Sequence, residues 1–333
     1  MKPYQICGLG NALVDILLEL DEAEFAPLGF EKGTMRLVDH AEQTALLDRF
    51  RGREPKLVSG GSVANSTIAC SQLGGSAAFI GCVGDDRYGL FYTTEFEDLD
   101  IDIGNPVIVG EPTGTCLSIV TPDAERTMRT CLAVSSHLAA KHVDSERIRN
   151  SEWLFVEGYV LANPDTGQGA VREAIRVAKA NDTKFALTCS EAFIVEVFGD
   201  AFRSALAQTD LLFCNATEAM AVTKAADAKS AFAKLADVVP AAVVTDGANG
   251  AYVRFGGKES HVRAFPCEPK DLTGAGDMFA GAFLYGITHD VSPARAARAA
   301  NFLAMKVITQ FGARLHHGTR QFWDEALSSE PRP

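Results

Sequence analysis

Asp271-Leu272-Thr273-Gly274-Ala275-Gly276-Asp277-Met278-Phe279-Ala280-Gly281-Ala282-Phe283 decides how this chain is read. Two glycines one residue apart let the backbone turn sharply and approach a ligand, and the apolar run behind them has the length of a buried helix. The amides of such a turn, with the positive end of the helix dipole, form an anion hole suited to a phosphoryl group. Asp277 falls in the first turn. There a carboxylate can take a proton from an incoming hydroxyl while the amides of Gly274, Ala275 and Gly276 hold the charge on the transferred group. The same stretch also fits a plainer role, a helix-start acid that complements the dipole above a tight turn.

Outward from this turn, apolar β-rich runs at Ile6–Leu9, Ala77–Val83, Trp153–Val156, Phe185–Thr188, Leu211–Phe213 and Ala242–Thr245 alternate with helical-period segments. The helical segments are Val63–Leu73, Thr166–Ala180, Ala216–Thr223, Gly274–Ile287 and Pro293–Gln310. This alternation predicts the α/β class, a mostly parallel sheet with helices on both faces. Two segments, about 13–38 and 105–135, carry strands for which consecutive βα units have no room. They predict a small antiparallel β-lid over one edge, inserted in one domain that spans 1–327, with 328–333 as a frayed tail.

The 333 residues carry 31 basic and 43 acidic side chains, a net charge of −12. Nucleic acid and anionic membrane are excluded as general partners, because both need clustered Lys and Arg. The eight cysteines lie mostly in apolar runs without a Cys-x-x-Cys pair, and the seven histidines show no ligand spacing. They predict core thiols in a reducing compartment and no structural zinc. The opening from Ile6 to Leu20 is interrupted by Gly8, Gly10, Asn11 and Asp15, which suits strands of the fold better than a signal peptide, so the expected location is cytoplasmic.

Two further stretches combine backbone freedom with hydroxyl-binding groups. Ser59-Gly60-Gly61-Ser62-Val63-Ala64-Asn65 puts a diglycine before a helix, which permits close approach by a polyol, and Asn65 can both donate to and accept from its hydroxyls. Asn65 on a polar helix face is the alternative. In Gly8-Leu9-Gly10-Asn11-Ala12-Leu13-Val14-Asp15, an aspartate in an apolar run is costly unless it bonds something, and vicinal sugar hydroxyls suit it; a solvent-facing lid residue is the other reading. Leu13 stands where a dinucleotide fingerprint needs its third glycine, and no Gly-x-x-x-x-Gly-Lys-Ser/Thr stretch exists.

Asn11 to Asp15, Gly60-Gly61 to Asn65 with Leu73-Gly74-Gly75, and Thr273 to Asp277 together resemble the ribokinase-like (PfkB) carbohydrate kinases, from about Ile6 to Arg314. The resemblance implies a three-layer α/β/α sandwich with a β-lid, and ATP-dependent transfer of phosphate to a primary hydroxyl. By it Asp277 is the base and Gly274, Ala275 and Gly276 the anion hole. Asn215-Ala216-Thr217-Glu218 matches the family's Asn-x-x-Glu motif near Mg2+ and the nucleotide phosphates, with Glu218 acting on the metal through water; an N-cap and its helix-start acid explain the same residues. Thr245, Gly247, Gly250 and Asn301 fall where members border ATP. Asp271 and the Gly312-Ala313-Arg314 turn fall where some members hold a monovalent cation, so potassium joins ATP and Mg2+ among the cofactors the resemblance admits.

Within the family, Gly8 to Ile16, Thr188 to Ile194 and Asp210 to Asn215 are similar to adenosine kinases and their bacterial relatives. Arg126 matches an arginine that those enzymes aim at the transferred phosphate, and it equally fits an exposed lid cation. Met35, Met128, Leu132, Tyr159 and Val160 fall where a purine would pack, a position that plain core also explains. The implied substrate is a ribose-containing nucleoside, adenosine first, held by Asn11, Asp15, Gly60, Gly61, Asn65, Met128 and Tyr159. The Leu73-Gly74-Gly75 continuation is more typical of sugar kinases, so ribose, fructose or a related sugar is the alternative acceptor, and a non-catalytic nucleoside-binding regulator a third reading. The expected partners are small molecules, with the protein a monomer or homodimer.

Overall fold

The computed structural model describes residues 2–123 and 125–328. Its strands are β1 (Tyr4–Leu9), β2 (Leu13–Glu19), β3 (Met35–Leu37), β4 (Lys56–Gly60), β5 (Ala77–Ile80), β6 (Val83–Gly84), β7 (Ile101–Ile103) and β8 (Val107–Ile108). They continue with β9 (Gly114–Val120), β10 (Arg126–Cys131), β11 (Ser151–Glu157), β12 (Lys184–Thr188), β13 (Leu211–Asn215), β14 (Ala242–Thr245), β15 (Ala251–Phe255) and β16 (Lys258–Val262). Helices that position the site or cover the main sheet are α1 (Ser62–Gln72), α2 (Arg87–Asp98), α3 (Gly167–Ala180), α4 (Ala216–Thr223), α5 (Ala275–Thr288), α6 (Pro293–Ile308) and α7 (Thr319–Ser328).

The main sheet runs β16-β15-β14-β13-β12-β11-β1-β5-β7, parallel from β14 to β7 and antiparallel at β15 and β16. Its strands are apolar throughout because both faces are covered. Ile6, Ala77 and Phe79 pack with α1, α2 and α5–α7, while their neighbours Cys7, Ala78 and Ile80 pack with α3 and α4 on the other side. The result is the α/β/α sandwich, with site residues at the carboxyl ends of the parallel strands, where open sheets of this kind bind ligands.

A second sheet, β3-β10-β9-β2-β4, has its own apolar cluster of Ile16, Leu18, Leu20, Phe25, Leu46, Leu117 and Ile119. Expected as antiparallel, it is mixed: β2 pairs parallel with β9 and β3 with β10, while β9–β10 and β2–β4 are antiparallel. The parallel pairs join strands far apart in sequence, β2 with β9 and β3 with β10, which no hairpin connects. Strand β4 lies outside the expected segments; Lys56-Leu57-Val58-Ser59-Gly60 holds two apolar residues and has no strand pattern of its own. The expected strand at Val107–Val109 instead pairs with β6 as a separate two-stranded ribbon.

The run expected as one strand over Ala77–Val83 breaks at Gly81, where the amide turns aside to donate to Asn105 Oδ1 at 2.8 Å. Of the expected tail, Ser328 closes α7 by donating to the Asp324 carbonyl, and Ser329–Pro333 lie outside the described residues. No helix among the described residues is long and apolar enough to cross a membrane. All eight cysteines are free and seven are buried.

Candidate active site

Gly274 caps α5 with φ +77°, and a Cβ there would stand 2.2 Å from the Ala313 carbonyl oxygen, so only glycine fits. A Cβ on Gly276 would meet nothing within 4 Å; that side of the turn is open. No side chain caps the first turn of α5; the Ala275 amide reaches the Leu272 carbonyl at a long 3.4 Å, and the Gly276 amide beside it is left available to an anion.

Asp277 is held in this first turn from across the interface with α1. Ser62 Oγ donates to its Oδ1 at 2.7 Å and Asn65 Nδ2 to its Oδ2 at 2.9 Å. The diglycine makes this approach feasible. Gly61 precedes α1 at φ +111°, and a Cβ there would be 2.1 Å from the Asn11 carbonyl oxygen. Asn11 Nδ2 in turn donates to Glu157 Oε1 at 2.8 Å, and the Val63 amide donates to Glu157 Oε2 at 3.3 Å. Burial pushes Asp277 up to about 6, against the pull of Ser62 and Asn65. Burial likewise pushes Glu157 up to about 7, with the bonds from Asn11 and Val63 opposing and the charge of Asp277 adding to it.

Glu157 was not singled out from sequence. The available signal was an acid closing the apolar run Trp153–Val156, at a strand end of a parallel sheet. Two buried acceptors here, Asn11 Oδ1 and Asn65 Oδ1, have no donor in the protein, and hydroxyl groups of a polyol would supply them.

Asp15 stands on β2 against Gly60, whose missing Cβ would lie 2.8 Å from Asp15 Oδ2. Burial raises the Asp15 carboxyl, with Arg126 and Arg314 acting against it. These three residues share a cavity of about 250 Å³. Arg126 is no exposed cation: its Nη1 donates to Asp271 Oδ2 at 2.8 Å, while Nε and Nη2 donate to Ser118 Oγ. It makes no hydrogen bond to Asp277. Met128 follows two residues later on the same face of β10, half-buried opposite Ser118. Tyr159 lies in the 3₁₀ turn after β11, with its hydroxyl donating to Glu191 Oε2 at 3.0 Å; burial holds that phenol far above its ordinary value.

Thr245, Gly247, Gly250 and Asn301 line a cavity of about 590 Å³ together with Ala275 and Gly276, so it opens onto the start of α5. Asn301 Nδ2 is turned to the Val262 and Arg263 carbonyls at 3.3 Å. Asn215 and Glu218 do not line this cavity. They form a reciprocal cap on α4, with Asn215 N and Nδ2 donating to Glu218 Oε2 and Oε1 at 2.9 and 2.7 Å and Glu218 N donating to Asn215 Oδ1 at 2.9 Å. Burial pushes Glu218 up to about 7; the Asn215 amide lowers it, and Glu191 and Asp277 raise it. Among the described residues no three metal-ligating side chains gather. One carboxylate beside phosphate oxygens and retained waters is an ordinary shell for Mg2+.

An acid in the first turn of a helix whose amides are uncapped, between a polyol-sized polar cleft and a nucleotide-sized cavity, has the parts of an alcohol phosphotransferase. The chain belongs to the pfkB family carbohydrate kinases, whose model matches residues 35–318. It is 30% identical to the ribokinase of Haemophilus influenzae over 280 residues, 81% of this chain and 87% of that one. It superposes on the adenosine kinase of Sinorhizobium meliloti with a TM-score of 0.87 at 31% identity, covering 97% of this chain and 99% of the other. A probable sugar kinase of Rhizobium etli CFN 42 gives 0.88 at 28% identity, over 98% and 99%. The protein is therefore a carbohydrate or nucleoside kinase that uses an alcohol group as acceptor.

Proposed function

We propose that this kinase phosphorylates the primary hydroxyl of a ribose-containing nucleoside, adenosine first. The observation that carries the reading is the pose of Asp277, fixed by Ser62 and Asn65 in the uncapped first turn of α5 and carrying a carboxyl pushed up to about 6. A base of that strength is ionised at neutral pH and still basic enough to accept the hydroxyl proton.

The ribose hydroxyls are bound by Asp15, Asn65 and Asn11, with Gly60 and Gly61 admitting the ring and Met128 and Tyr159 flanking the base. ATP occupies the cavity of Thr245, Gly247, Gly250 and Asn301, its γ-phosphoryl at the Gly274–Gly276 amides. Glu218, in its reciprocal cap with Asn215, is the carboxylate that would hold the waters of a bound Mg2+, which would supply neutralisation of phosphate charge. Asp277 takes the proton as the acceptor oxygen bonds to phosphorus and the bond to ADP breaks. Arg126 adds positive charge at the edge of the site, and closure of the smaller sheet excludes water.

A sugar kinase acting on ribose, fructose or a related sugar is the second reading, favoured by the 30% identity to a ribokinase and by Leu73-Gly74-Gly75. Coupled ADP release over a panel of nucleosides and free sugars separates them. Turnover of adenosine at micromolar concentration is expected. Turnover of free sugars alone replaces the first reading with the second.

A further inference from the structure

Potassium does not fit the place where the sequence resemblance admits it. Both oxygens of Asp271 are engaged: Oδ1 accepts from the Thr273 amide at 2.9 Å, and Oδ2 accepts from the Gly312 amide at 2.9 Å and from Arg126 Nη1 at 2.8 Å. The nearby Arg314 and Leu315 carbonyls accept from the side-chain amides of Gln310 at 2.6 Å and Gln72 at 3.0 Å. A monovalent metal ion needs several oxygens free to replace its hydration shell, and a guanidinium already bonded to one of them repels it.

That guanidinium is built in. The side chains of Arg126 and Asp271 are 8% and 4% exposed. Ser118 pins the other edge of the guanidinium plane through Nε at 2.9 Å and Nη2 at 2.8 Å. A planar fork held on both edges is a fixed charge, unlike an exchangeable ion. We propose that Arg126 is this enzyme's own cation: it fills at Asp271 the role of a monovalent metal, so that seating of the smaller sheet, and not potassium, completes the turn that leads into Gly274.

The consequence follows from what Asp271 joins. Through Thr273 it holds the approach to Gly274, and through Gly312 it holds the segment whose Ala313 packs against Gly274. Without a countercharge the buried carboxylate is costly, and the two sides of the turn loosen. A metal ion would be lost to solvent according to its concentration. Arg126 leaves only when β10 moves, which ties order in the anion hole to closure of the sheet. Arg126 is thus a positioning residue that acts through Asp271.

The inference rests on the Gly274–Gly276 turn being the phosphoryl site, and the test keeps the two apart by reading stability as well as turnover. The full chain is compared in potassium chloride and choline chloride at equal ionic strength. Wild-type melting temperature and turnover are expected to agree between the salts within about twofold in rate. Arg126→Met, which removes the guanidinium donors from Asp271 Oδ2 and Ser118 Oγ and so frees both oxygens for an ion, is expected to melt lower and to regain about 3 °C in potassium but not in choline. Potassium-specific activation of the wild type above about fivefold, or a potassium-specific rise in its melting temperature, overturns the proposal. So does an Arg126→Met variant that answers both salts alike. If that variant does not fold, Arg126→Met/Asp271→Asn, with neither charge buried, is expected to fold and ignore potassium, and a potassium response in it overturns the proposal. Absence of turnover with every acceptor would sink the kinase substrate reading and leave the melting comparison standing.

Discussion

Replacing Asp277, the proposed base, should make the protein more stable. Asp277 rises from 3.8 to about 6 on folding, chiefly by burial. Two units at about 1.4 kcal/mol each give about 3 kcal/mol of strain in the ionised native state at neutral pH. The carboxylate keeps some contact with solvent, and its bonds from Ser62 and Asn65 are charge-assisted, so the net gain for Asp277→Asn is about 1–2 kcal/mol. The amide is accommodated locally: the Ser62 hydroxyl can rotate, and Asn65 can turn its unpartnered Oδ1 toward the new NH2. Because the native state binds this proton more tightly than the unfolded chain, the stability attached to it is full below about pH 4 and is lost as pH rises through about 6. The variant should therefore match the wild type near pH 4 and melt about 1–3 °C higher at pH 7.5, while kcat falls by about 10²–10⁴. Thermal melts from pH 4 to 8, set beside ADP release, check both halves. A variant that is less stable at every pH, or whose stability difference ignores pH, refutes the picture of a strained buried base.

The wild-type kcat/KM for the acceptor should fall on the acid side with an apparent pKa near 6, the value to which burial pushes Asp277 in the free protein, and more steeply than one proton allows because burial places Glu157 and Glu218 near 7 in the same field; a pH–rate profile measures this. Gly274→Ala should lose both stability and activity, since its Cβ would meet the Ala313 carbonyl oxygen at 2.2 Å, whereas Gly276→Ala should melt normally and raise the KM for ATP; melts and steady-state kinetics of the pair separate conformational need from ligand clearance. Glu157→Gln should raise the KM for the alcohol acceptor by about tenfold through the loss of the charge that orients Asn11, with the KM for ATP unchanged; equal effects on both would place Glu157 elsewhere in the reaction.

The legible parts of this protein are those that local rules fix. Doubly buried parallel strands appear as unbroken apolar runs, so Ile6–Leu9, Phe185–Thr188 and Ala242–Thr245 stand within about two residues of their observed bounds. The turn at Gly274 to Asp277 is legible for the same reason: φ +77° at Gly274, hard against the Ala313 carbonyl oxygen, is a demand that only glycine meets. Strand β4 was not legible, because an edge strand of a small sheet needs no apolar pattern when its partner β2 supplies the pairing. The partnership of Arg126 with Asp271 was hidden too. It spans 145 positions in sequence, and each residue alone reads as an ordinary surface charge.

Glu157 was missed for a deeper reason, which also explains the strength of the base. Asp277, Glu157 and Glu218 come from the start of α5, the end of β11 and the start of α4, and they meet because a parallel sheet gathers strand ends and the helix starts that follow them on one edge. Each is pushed up first by burial, and the charge of Asp277 adds to the rise of both glutamates. An acid left in water would have an ordinary pKa and accept a hydroxyl proton poorly; one buried alone would stay protonated at neutral pH and accept none. Ser62 and Asn65 oppose burial by donating to the ionised form of Asp277 and hold it near 6, as Asn11 and Val63 do for Glu157 and Asn215 does for Glu218, both near 7. A carboxylate with the strength that the proposed base needs thus emerges from a balance between crowding and two hydrogen bonds, and no single residue in the sequence carries that balance.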